Sequence, residues 1–224
     1  MQKLFLNKII FSLGIFFAFV AFTGTTQAAV LLPGNINSCG ELVAPGTYTL
    51  TTNLNGGANT CFTISSDNVT IDGSGYTITG TGTSSPAIDA RARSGEGTAL
   101  VGAGNAYTNL IVNDSTITGY TTGINLSGND NTTGSGLNGG NAGDAGDIAI
   151  FYSVVGSVIA DGGDTTYVGF GGIGGNIAFT DTNLNISSST ISTVGGNGTT
   201  GRNTDGGLDL NYSGTLTKTG VVLS

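Results

Sequence analysis

Short runs of alternating apolar and polar residues dominate the chain after residue 30. Thr47-Tyr48-Thr49-Leu50, Cys61-Phe62-Thr63-Ile64, Val69-Thr70-Ile71 and Tyr76-Thr77-Ile78-Thr79 are the first four. Each sets β-branched or aromatic residues at alternate positions, the pattern of a strand with one buried face. No stretch of this region sustains apolar residues at i, i+3 and i+4, so helices are not expected. The pairs Phe62/Ile64, Val69/Ile71 and Tyr76/Ile78 arrive seven residues apart, separated by Ser65-Ser66-Asp67-Asn68 and Asp72-Gly73-Ser74-Gly75. Such spacing fits a meander of hairpins, or three sides of one coil in a solenoid. Hairpins call for longer strands and two-residue turns. Strands of three or four residues favour the coil, and Asn and Asp suit its corners because they tolerate left-handed backbone.

The pattern then returns. Asn109-Leu110-Ile111-Val112-Asn113-Asp114 repeats Asn68-Val69-Thr70-Ile71-Asp72-Gly73, and Thr116-Ile117-Thr118-Gly119 repeats Thr77-Ile78-Thr79-Gly80. Residues 91–107 read as an excursion from the coil body. In the second half, Asp147-Ile148-Ala149-Ile150 and Asn176-Ile177-Ala178-Phe179 stand 29 residues apart, and Leu208-Asp209-Leu210 follows 31 later. Each comes after a Gly-rich stretch: 139–146, 169–175 and 201–207. Periods of this size predict stacked units that complete one another's core.

The first 29 residues change the setting. Lys3 and Lys8 precede an apolar run from Ile9 to Phe22, which ends at Thr25-Thr26-Gln27-Ala28-Ala29. A basic start, a short apolar core and small residues at the exit make a secretory signal, with cleavage after Ala28 or Ala29. The alternative is a membrane anchor, but the run is shorter than the roughly 20 residues a span needs. Residues 30–224 then form one domain with a lead-in segment at 30–60, and the mature form is not expected to span a membrane. Export makes Cys39 and Cys61 a predicted disulfide, against the alternative of two buried thiols.

Charge narrows the partners. Without the signal, Arg91, Arg93, Arg202 and Lys218 face 14 acids. Four scattered cations make no stripe for a phosphate backbone, so nucleic acid is not expected as a partner. Forty glycines predict long Gly-rich loops.

The stretch Val69 to Gly80 resembles the first coils of right-handed parallel β-helix proteins of the pectin-lyase-like class. Cys39-Gly40, Pro45-Gly46-Thr47-Tyr48 and Cys61-Phe62 resemble the lead-in of secreted bacterial members. The resemblance covers about residues 38–128 and implies an all-β, single-stranded solenoid, to which typical repeat periods give about seven to nine coils. It does not imply an activity, because one fold hosts many.

Several constellations invite chemistry. Asn203-Thr204-Asp205-Gly206 is similar to a polygalacturonase motif, whose acid works with a second carboxyl. That family also carries an adjacent Asp pair, a Gly-His-Gly and an Arg-x-Lys; this chain has none of them and no histidine. Lyase chemistry would use calcium ligands such as Asp144, Asp147, Asp161 and Asp164, with Arg202 as the late base. Corner roles explain the same acids without an ion. Gly139-Gly140-Asn141-Ala142-Gly143-Asp144 misses the calcium nonapeptide register. Thr-x-Thr triplets at 77–79, 116–118 and 215–217 lack the constant period of an ice-binding array. Tyr48, Tyr76, Tyr107, Tyr120, Tyr152, Tyr167 and Tyr212 offer sugar-stacking surfaces.

No catalytic, cofactor or metal residue is assigned. The expected function is that of an exported, non-catalytic surface or extracellular protein that binds glycans or surfaces, or serves as an envelope scaffold or adhesin. The alternative is a polysaccharide lyase or glycoside hydrolase. The expected partner is a polysaccharide or cell-surface component. The apolar ending Thr219-Gly220-Val221-Val222-Leu223-Ser224 suggests a longer parent chain or end-to-end association.

Overall fold

A computed structural model describes residues 28–82, 85–91, 106–128, 144–165, 170–181, 185–187, 190–198, 205–212, 217–219 and 222–223. Residues 1–27, most of the segment 1–29 expected to be a signal peptide, lie outside them, as do Arg93, Tyr167 and Arg202. The chain begins with β1 (Val30–Leu31), β2 (Gly34–Ile36) and β3 (Gly40–Leu42). The next coil is β4 (Gly46–Leu50), β5 (Leu54–Gly57) and β6 (Phe62–Ile64), followed by β7 (Val69–Asp72), β8 (Thr77–Gly80) and β9 (Ile88–Asp89). Then come β10 (Leu110–Asn113), β11 (Thr116–Thr118) and β12 (Thr122–Asn125), and after them β13 (Ile148–Phe151) and β14 (Ser157–Ile159). The last two coils contain β15 (Ile177–Asp181), β16 (Asn185–Ser187) and β17 (Thr190–Ser192), then β18 (Leu208–Tyr212), β19 (Thr217–Thr219) and β20 (Val222–Leu223).

The strands visit three sheets in rotation. Sheet I has seven strands in the order β2-β4-β7-β10-β13-β15-β18. Sheet II holds β5-β8-β11, and sheet III has eight strands, β1-β3-β6-β9-β12-β14-β17-β20. Strands β16 and β19 pair separately on the remaining side. Each strand pairs parallel with its counterpart one turn away. Parallel neighbours need a long crossover, and here the rest of the coil provides it. The described residues are thus all-β in long parallel sheets, a connectivity consistent with a parallel β-solenoid. Sheet I counts seven passes, and no described helix is long and apolar enough to cross a membrane.

Register follows the sequence repeats. Ile111 pairs with Thr70, Val112 with Ile71 and Asn113 with Asp72. Thr116-Ile117-Thr118 lies on Thr77-Ile78-Thr79. Ile148, Ile177 and Leu208 align in consecutive coils. The seven-residue spacing of the first segments therefore marks three sides of a coil, since β6, β7 and β8 belong to three different sheets.

Alternate residues point inward and stack. Tyr48, Ile71, Val112, Ile150 and Phe179 form one row under sheet I. Phe62, Ile88, Ile124, Val158 and Ile191 form another under sheet III, and Leu54, Ile78 and Ile117 a third. None of these side chains is more than 4 % exposed. Burying each one contributes roughly 1.5–3 kcal/mol. One turn cannot exclude water from such rows alone, so the stack is the folding unit.

Corners hold the polar residues. Asn68 and Asn109, 41 residues apart, both adopt left-handed backbone (φ 58° and 57°), and the Asn109 amide donates to Asn68 Oδ1 at 3.0 Å. Cys39 and Cys61 form a disulfide with Cα atoms 4.6 Å apart. They sit just before β3 and β6, so the bridge ties the lead-in to the next coil.

Candidate functional site

Asp144, Asp147, Asp161 and Asp164 turn their carboxylates to the neighbouring coil, and Asp205 turns its own to the facing arm of the same coil. Asp144 Oδ1 accepts the Ile173 N–H at 2.8 Å, and Asp147 Oδ1 accepts that of Asn176 at 2.7 Å. Asp161 Oδ1 accepts from the Ser192 hydroxyl (2.6 Å) and the Val194 N–H (2.8 Å). Asp164 Oδ1 accepts from Asn197 N at 2.6 Å, and Asp205 Oδ1 from Gly195 N at 2.8 Å. Asn176 extends the series by accepting from Gly207 N at 2.9 Å. The bonds to the aspartates are charge-assisted, all but the Ser192 hydroxyl's come from backbone amides of irregular segments, and the Asn176 bond is their neutral counterpart. Among the described residues no three acids or cysteines gather as a metal-ligand group. The rest of the Asn203–Gly206 motif's polar face, Asn203-Thr204, lies outside the described residues.

The same region explains the glycines. Chain segments leave sheet III and return to sheet I as extended arms at 160–165, 171–176, 193–198 and 205–207. Bonds run along the stack, as from Gly162 N to Val194 O (2.9 Å) and Thr165 N to Asn197 O (2.9 Å). Others run across it, from Gly172 N to Gly163 O (2.8 Å), Gly196 N to Gly172 O (2.8 Å) and Gly175 N to Ala160 O (2.8 Å). A Cβ on Gly196 would stand 2.6 Å from the Gly163 carbonyl carbon and 2.8 Å from Gly162 O, closer than real Cβ atoms come. Glycine is needed here for close approach of backbones.

The tyrosines divide by environment. Tyr48 is fully buried, and its hydroxyl donates to Ala44 O at 2.9 Å, so it is a core residue and no stacking surface. Tyr107 packs partly against the core. Tyr120 reaches toward Gly56 and Gly80, with its hydroxyl 3.4 Å from Asn59 O, and burial raises its phenol pKa above the usual value. Tyr76 is 36 % exposed and Tyr152 58 % exposed. The Tyr212 side chain lies outside the described residues. On sheet II, Thr77 aligns with Thr116 and Thr79 with Thr118, whereas Thr217 pairs with Asn185 in a different sheet. Arg91 Nη2 donates to Asp89 at 2.6 Å, and this bond, more than the accompanying charge attraction, holds the guanidinium pKa above its usual value.

A trough of about 520 Å³ crosses the outer face of sheet I. Ile111, Ala149, Ala178 and Asp209 stand in register along it. Asn109, Asp147, Asn176 and Gly207, the last residues before their strands, form one margin. The two alanines keep the floor low over consecutive coils. Composition and spacing did not single them out, although each occupies the third place of the repeats Asp147–Ile150 and Asn176–Phe179. Phe151 follows on the same outer face two positions beyond Ala149. The arrangement is a shallow, apolar-floored surface with amide and carboxylate margins, suited to weak contacts along the stack. Comparisons with protein-family models, with curated proteins and with solved structures find no match.

Proposed function

We propose that the chain is an exported, non-catalytic right-handed parallel β-helix of the pectin-lyase-like architecture that works by recognition or scaffolding at a surface. The carrying observation is the use of the acids. Asp144, Asp147, Asp161, Asp164 and Asp205 bond backbone or hydroxyl donors of adjacent segments and so hold the arms together. An acid–base pair for glycan cleavage needs a carboxyl aimed at substrate. Handedness is supported by the strong right-handed preference of parallel crossovers. Export is supported by the basic-apolar start of the sequence and by the Cys39–Cys61 bridge, which persists in oxidising compartments.

The trough of sheet I gives this reading a surface: apolar floor, polar margin, and length along the rod. The ligand class we favour is a glycan or another cell-surface polymer. Incubation of purified protein with polygalacturonate and neutral glycans, with and without calcium, tests the non-catalytic part. No new reducing ends and no ultraviolet-absorbing unsaturated products are expected. Product formation abolished by Asp205→Ala or Asp164→Ala would overturn it.

A further inference from the structure

At the corner between sheets I and II, two coils build the same turn from different residues. In one it is Asn113-Asp114-Ser115; in the next it is Phe151-Tyr152-Ser153. Ser115 Oγ donates to Asn113 O at 3.0 Å, and Ser153 Oγ donates to Phe151 O at 2.7 Å. The Asp114 N–H bonds Phe151 O at 3.1 Å and the Ser115 N–H bonds Ser153 Oγ at 3.1 Å, so the turns stack directly. Both central residues are left-handed, with φ 45° at Asp114 and at Tyr152. Asp tolerates that region, whereas for a bulky aromatic it is an outlier. The polar pair makes this turn without an aromatic, so the turn does not require Phe-Tyr. Strain kept at an exposed residue points to use of that residue.

We infer that Phe151 and Tyr152 form an aromatic platform for a ring of a neutral glycan chain, an inference that rests on the recognition reading above. Tyr152 is 58 % exposed, and Val154, beyond it on the sheet II side, is 61 % exposed. Phe151 is half-buried on the outer face of sheet I, two positions from the alanine floor of the trough. A sugar ring offers an apolar C–H face to the negative face of an aromatic ring and a hydroxyl rim to polar neighbours. Those neighbours are Asn113 and Thr180, which flank Phe151 in register. The charged groups nearby are acids: Asp72 and Asp114 toward one end of the rod, Asp147 and Asp209 along the trough. Their field disfavours polyanions such as uronates.

The test is titration of the purified protein with cellohexaose, N-acetylchitohexaose, mannohexaose and hexagalacturonate. The chain has no tryptophan, so tyrosine emission and calorimetry can report together. At least one neutral hexasaccharide is expected to bind saturably, and hexagalacturonate is not. Tyr152→Asn should lower that affinity at least 10-fold while raising Tm by roughly 2–4 °C through relief of the left-handed strain. Neutral binding untouched by Tyr152→Asn would overturn the platform and leave the recognition reading intact. Failure of all three neutral hexasaccharides to bind would overturn the platform and the choice of a neutral glycan as its ligand. A fall in Tm with Tyr152→Asn would make Tyr152 a structural residue, and concentration-dependent self-association abolished by that variant would make the face an interface between copies. Either result would sink the platform.

Discussion

Replacing Gly196 by Ala probes the close-packed arms with a single methyl group. The added Cβ would meet backbone only: the Gly163 carbonyl group, with its carbon at 2.6 Å, and Gly162 O at 2.8 Å. No flexible side chain can swing aside, so the facing arm must retreat. Overpacking of this kind costs about 1–3 kcal/mol, and the backbone character of the clash puts Gly196 at the upper end. Retreat also threatens the Gly196 N to Gly172 O bond (2.8 Å), whose net contribution is about 1 kcal/mol. A loss of about 3 kcal/mol lowers Tm by roughly 6–12 °C in a domain of this size. Gly156→Ala is the matched control, since its Cβ would find only Tyr120 O at 3.9 Å; its effect should stay within about 0.5 kcal/mol. Urea and thermal unfolding give the two stabilities, and hydrogen exchange reads the Gly172 and Gly196 amides directly. Coils of a solenoid can open separately, so the exchange measurement is the more specific. Equal stabilities for the two variants, with the Gly196 amide still protected, would refute close approach as the reason for these glycines.

Cys39→Ser with Cys61→Ser removes a bridge that closes a 22-residue separation and should cost about 3 kcal/mol in the chain-entropy model, measured as a lower urea midpoint under oxidising conditions. Ile71→Ala empties a fully buried place between Tyr48 and Val112 and should cost about 2–5 kcal/mol by chemical denaturation. Asp161→Ala removes the acceptor of two bonds and should destabilise by about 1.5–3 kcal/mol, while Asp161→Asn, which keeps an acceptor oxygen, should lose less. Burial raises the Tyr120 pKa, so the folded state holds that proton more tightly than the unfolded chain does. Its contribution is complete below the unfolded value of about 10 and is lost as pH rises through the folded value. Tyr120→Phe should therefore flatten the alkaline fall of Tm.

The first-half repeats were legible because a strand has a two-residue period and a solenoid stacks like on like. Asn68–Asp72 and Asn109–Asn113 announced the register that β7 and β10 adopt. Thr77–Thr79 and Thr116–Thr118 did the same for sheet II. Short strands at seven-residue spacing distinguished three coil sides from hairpins, and an even pair of cysteines foretold their bridge. Other features depend on distances between residues far apart in sequence. Tyr48 reads like any tyrosine until the coil closes over it and Ala44 satisfies its hydroxyl. Asp205 sits in a motif that resembles a catalytic one, yet only the stacking of two arms brings Gly195 N against it. Composition shows that glycines are many; the arms show that Gly196 is needed for approach and Gly156 is not. Ala149 and Ala178 become a floor, and Tyr152 an exposed strained corner, only when neighbouring coils set their height and backbone angle. Periodicity along the chain thus fixes what repeats, while packing between coils decides which repeated positions are core, brace or surface.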